Sequence, residues 1–148
     1  MNSRRTKIIV DIFMTVFLIL SFVRWDGVGG AIYHFVVGCL CAFFFSFHVF
    51  IHRKWIRATT MSCFTGKLKK ALRGKYIINM LLLVVWGISI IAGFFGIAPF
   101  FSDMDNISGF GRLHGITARV GLVLLVIHVI QHIPQIKSYL GIGKRGAK

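Results

Sequence analysis

Acidic side chains are nearly missing from this chain. Four aspartates and glutamates stand against eighteen lysines and arginines in 148 residues. Sites that hold a metal through carboxylates therefore have almost nothing to draw on. Cysteine is scarce as well, with Cys39, Cys41 and Cys63 alone, so no disulfide framework is implied. Only Pro99 and Pro134 interrupt the chain as prolines. Both fall near the ends of long apolar runs.

Apolar residues fill the space that charge leaves. The chain is 56% hydrophobic and 15% charged, outside the usual globular range on both counts. The apolar residues gather into four blocks of the length a membrane span needs, about 20 residues. These run over 8–23, 31–51, 77–101 and 115–133. The first is closed by Arg24, Trp25 and Asp26, the second by His52, Arg53, Lys54 and Trp55, and the fourth by Pro134. The expectation is an all-α, integral membrane four-helix bundle with up-down-up-down topology, forming a single domain over 1–148. The net charge of +14 would suggest nucleic acid in a soluble protein. Here the basic residues lie between the blocks, and the Phe residues lie inside them. Anionic lipid headgroups account for that pattern, and no nucleic-acid partner is expected.

The loops set the orientation. Arg4, Arg5 and Lys7 precede the first block, and the segment 53–75 carries eight basic residues and no acidic one. Lys137, Lys144, Arg145 and Lys148 follow the fourth block, whereas Asp26 and Asp103 with Asp105 lie in the other two connections. Basic loops stay in the cytoplasm, so both termini are expected there, with the protein in the inner membrane of a bacterium. Arg4-Arg5 faintly suggests a twin-arginine signal. No small-residue cleavage site follows, and Asp11 interrupts the block, so an uncleaved first span is expected.

The six histidines form a repeat. His34, His48 and His52 lie in the second block, and His114, His128 and His132 in the fourth. Both sets read H-x13-H-x3-H, and the second is the first shifted by 80 residues. On a helix, fourteen positions return a side chain to within about 40° of its starting face, about 21 Å along the axis. Each block thus shows two imidazoles on one face, one toward each leaflet. With both blocks running outside to inside, His34 shares a depth with His114, and His48 with His128. Opposed imidazoles at two depths meet the demand of haem iron for two axial ligands. No C-x-x-C-H occurs, so covalent attachment is not indicated. Two non-covalent b-type haems are expected, with no open position on either iron. Ionisable groups at membrane depth are costly and usually functional, which weighs against six matched packing residues.

Other residues join this reading. Cys41 and Gly121 lie seven after the outer histidines, and Gly38 and Ala118 four after. Small residues there would let flat cofactors approach the backbone. Gly87, Gly93 and Gly96 would do the same from the third block, or serve close helix packing. His52 and His132 lie one turn inward of the inner ligands. They are candidates for haem propionates, for a proton from quinol, for ligand exchange, or for plain interfacial ends. Arg119 is an isolated cation that would snorkel outward or meet a propionate. Asp11 would pair with Lys7 one turn away, with proton transfer as the sharper alternative.

Two parallel helices each bearing H-x13-H resemble the diheme core of respiratory and photosynthetic cytochromes b, and that of transmembrane ferric reductases. Overall size and the endings HVFIHRKWI and HVIQHI look most like the flavinylation-associated cytochromes, small four-span bacterial proteins. That resemblance implies ligation of haem by His34 with His114 and by His48 with His128. It implies electron transfer between a quinol or redox protein partner and an acceptor outside, such as one carrying flavin. Ferric reductases carry a further nucleotide and flavin domain, for which four spans in 148 residues leave no room. An electron-transfer subunit of a larger complex is therefore expected rather than a self-contained enzyme. One rival is a membrane metal-binding or transport protein using His48 with His52 and His128 with His132. Another is a haem-bearing anchor subunit of an oxidoreductase.

Overall fold

In the computed structural model, residues 3–23, 27–96 and 108–139 are described. They form four helices: α1 (Ser3–Ser21), α2 (Gly27–Phe64), α3 (Lys70–Gly96) and α4 (Ser108–Tyr139). No strand occurs among the described residues. The helices pair as α1 with α2 and α3 with α4, and the chain divides into two compact units, 1–66 and 67–148.

Three of the helices, α2, α3 and α4, are long and apolar enough to cross a membrane. Their outward faces are greasy: on α3, Leu81, Val84, Ile88 and Ile91 are exposed while Leu82, Ser89 and Ala92 are buried. Apolar surface on that scale has no place in water, and the chain is a membrane protein. The fourth expected span, α1, carries Arg4, Arg5, Lys7 and Asp11 within nineteen residues, and it is not among these three.

The helices extend beyond the expected apolar blocks, with α1 starting at Ser3, α2 at Gly27 and α4 at Ser108. The second block was expected to close at His52–Trp55, yet α2 runs on to Phe64. Its 38 residues make a rod of about 57 Å, against about 30 Å of hydrocarbon. Charged side chains end the apolar zone without ending the helix, because Arg and Lys are good helix formers. Gly66, at φ +70°, ends it, and its N–H bonds the Cys63 carbonyl at 3.1 Å. Glycine adopts this left-handed geometry without a Cβ penalty. The same physics starts α3 at Lys70 rather than Ile77. In α4 the helix passes through Pro134 to Tyr139. The proline ring withholds one N–H from the Ile130 carbonyl and does not stop the helix. Pro99, Asp26, Asp103 and Asp105, the last part of the third block and the basic residues after 139 lie outside the described residues.

In the first unit, α1 and α2 run antiparallel. Phe44 of α2 stacks on Phe13 and Phe17 of α1, with centroids 5.1 and 5.5 Å away. In the second unit, α3 and α4 approach closely at their Gly96–Gly111 crossing. A Cβ on Gly96 would stand 3.2 Å from the Gly111 nitrogen, so glycine is what permits the contact. Phe95 and Phe110 pack beside it at 5.3 Å.

Candidate functional site

Each unit carries its histidines on the longer-reaching partner of the pair and their hydrogen-bond acceptors on the other helix. In the first unit, Nδ1 of His34 lies 2.9 Å from the Ser21 carbonyl, at the end of α1. A carbonyl in the last turn of a helix has no partner within that helix, so Ser21 is open to this bond. One register step along, Nδ1 of His48 lies 2.7 Å from Oδ1 of Asp11. Asp11 therefore turns across the helix pair to His48, and not along its own helix to Lys7 as expected. A polar group in apolar surroundings costs free energy unless bonded, and this contact satisfies both partners.

The second unit repeats the arrangement. Nδ1 of His114 lies 2.8 Å from the Ser89 carbonyl and 3.2 Å from the Ser89 hydroxyl. Nδ1 of His128 lies 2.8 Å from Oδ1 of Asn79. The acceptors occupy equivalent places: Asp11 and Ser21 are ten residues apart on α1, and so are Asn79 and Ser89 on α3. The histidine repeat on α2 and α4 is thus matched by an acceptor repeat on α1 and α3.

Chemistry follows from which nitrogen is bonded. Carbonyl and carboxylate oxygens can only accept, so Nδ1 must carry the proton in all four rings. The lone pair then sits on Nε2. That is the tautomer a histidine needs to bind a metal ion or haem iron through Nε2, and the bond on Nδ1 fixes the ring's orientation.

Glycines shape the surroundings of these rings. A Cβ on Gly93 would lie 3.0 Å from Nδ1 of His114, so the bare backbone of α3 is what admits the ring to the Ser89 carbonyl. Gly93 was expected to admit a cofactor or a helix, and it admits a histidine. A Cβ on Gly121 would lie 2.6 Å from Nε1 of Trp86, so the indole fills the space this glycine leaves. Leu18 and Cys41 hold the equivalent places in the first unit, and both are buried. Cβ positions on Gly38 and Gly87 meet nothing within 4 Å. Ala118 is half-buried, and Arg119 is exposed with no ion pair among the described residues.

No family model, no curated protein and no solved structure matches the chain. The site therefore rests on its own geometry.

His52 and His132 sit beside the second ligand candidate in each unit. The ring centroids of His48 and His52 are 4.6 Å apart, and those of His128 and His132 are 4.5 Å apart, tilted by 40° and 38°. Nδ1 of His132 bonds Oε1 of Gln135 within α4. The Nε2 of His132 and the Oε1 of Gln131 are buried without a hydrogen-bond partner. Among the described residues, no group of three or more His, Cys, Asp or Glu side chains could hold a metal ion.

Sequence reasoning placed the four principal histidines on common helix faces and missed all four acceptors. The signal was available: D-x9-S at 11–21 and N-x9-S at 79–89 form a second internal repeat, one helix before each histidine pair.

Proposed function

We propose that this chain is a b-type diheme membrane cytochrome that passes electrons across the membrane. On this reading His34 and His114 would hold one haem, and His48 and His128 the other. The observation that carries this reading is the shared state of the four rings. Each gives Nδ1 to an oxygen of the neighbouring helix, which leaves Nε2 as the coordinating atom. Packing alone gives no reason for the same ring nitrogen to be bonded four times in two matched registers.

Bound haem would supply one-electron carriage, and two imidazoles per iron would leave no coordination position for oxygen. The chain's own residues do the rest. Ser21, Asp11, Ser89 and Asn79 hold the rings in one tautomer and one orientation. Gly93 makes room for His114 at the α3 backbone. The apolar helices exclude water. On this reading both termini and the cytoplasmic end of the histidine repeat lie in the cytoplasm, in the inner membrane of a bacterium, which the basic segments support. A quinol or a reduced redox protein is the donor, and a partner outside, such as a flavin-bearing protein, is the acceptor. On this reading the chain is the membrane subunit of a larger oxidoreductase system.

Single His→Ala variants test the assignment. His48→Ala and His128→Ala should each remove the same haem, and His34→Ala and His114→Ala the other, read from optical spectra of the purified protein. Variants of one proposed pair that remove different haems would refute the pairing.

A further inference from the structure

The four acceptors are not alike. Three are neutral: the carbonyls of Ser21 and Ser89, and the carboxamide oxygen of Asn79. The fourth is the carboxylate of Asp11, 2.7 Å from Nδ1 of His48. Asp11 and Asn79 occupy equivalent places in the two units, so the difference between them is one atom type at the end of otherwise matched side chains.

We infer that Asp11 lowers the potential of the haem held by His48. The inference rests on the haem reading above. A carboxylate that accepts the Nδ1 proton pushes electron density into the imidazole and makes its Nε2 a stronger donor. A stronger donor favours the oxidised, more positive iron, and hydrogen bonding beyond the ligand is one of the means by which a protein sets haem potential. The Asn79 carboxamide, at the equivalent place beside His128, carries no such charge. Cations close in sequence to Asp11 and His48 are Lys7 on α1, which is half-buried, and Arg53 and Lys54 on α2. Arg53 and Lys54 are exposed, and solvent and salt screen exposed charge. The Asp11 carboxylate is bonded directly to the ligand and keeps its effect.

The test is a spectroscopic redox titration of the purified full chain, wild type and Asp11→Asn. The asparagine keeps an acceptor oxygen and removes the charge. One haem should become at least tenfold easier to reduce, an upward shift of about 59 mV or more for one electron, while the other stays in place. Repeating the substitution in a His34→Ala background, which retains only the His48 haem, should give the same shift. Asn79→Asp is the converse variant and should lower the potential of that same haem. Haem retained with both potentials unchanged in Asp11→Asn would overturn the inference. If Asp11→Asn loses the haem, an unchanged potential in Asn79→Asp would overturn it. Loss of haem from both variants would assign these side chains a purely structural role and overturn it as well. A wild-type chain without haem would instead refute the reading on which the inference stands.

Discussion

Oδ1 of Asn79 stands 2.8 Å from Nδ1 of His128, the same relation that Asp11 has to His48 in the other unit. Two pairs drawn from four different helices thus solve one problem in one way. An imidazole within an apolar helix pair needs a partner, and the partner chosen decides which ring nitrogen can coordinate. This links an internal repeat in the sequence to a chemical state of the site.

Asn79→Ala removes the acceptor that Nδ1 of His128 has on α3. Loss of such a supporting bond commonly costs 10–100-fold in metal affinity. Haem titration of the apoprotein should show that loss at one of two sites, the site that His128→Ala abolishes. Unchanged affinity would mean that the bond does not orient the ligand.

Gly93→Ala sets a steric demand against a helix preference. Alanine in a helix interior gains roughly 0.5–1 kcal/mol over glycine. The new Cβ would lie 3.0 Å from Nδ1 of His114, a ring held by bonds to Ser89 worth about 1 kcal/mol each. The ring must yield, so the haem of His114 should bind more weakly while helix content by circular dichroism is unchanged. Gly87→Ala is the control, because its Cβ position is open. It should leave both haems in place and slightly raise thermal stability.

Cys63 is exposed near the end of α2, whereas Cys41 is buried. A membrane-impermeant maleimide should label Cys63 in inverted vesicles and not in right-side-out vesicles or spheroplasts, if the basic segment faces the cytoplasm. Labelling from outside would reverse the proposed orientation.

What the sequence made legible was whatever its periodicity encodes. Apolar blocks marked α2, α3 and α4, and the spacing of fourteen put His34 with His48, and His114 with His128, on common faces. Element ends were less legible, for a physical reason. Lys, Arg and Met sustain a helix as well as Leu does, so the charge after Ile51 marks where apolar character stops and not where the backbone turns. Gly66, the residue that ends α2, sits fifteen residues beyond Ile51, the last apolar position of that block. Pro134 looked like a stop and is absorbed by α4. The acceptors were hidden differently. Ser21 and Ser89 act through backbone carbonyls, which any residue possesses, and only the spacing they share with Asp11 and Asn79 betrays them. Asp11 was noticed as an anomaly and matched to its helical neighbour Lys7, because a contact across two helices has no trace in local spacing.

The most direct measurement is a reduced-minus-oxidised absorption spectrum of the purified chain, combined with the quantity of haem extracted per chain. The account predicts a b-type spectrum and about two non-covalent haems per polypeptide. A purified, folded chain with no haem bands would contradict it.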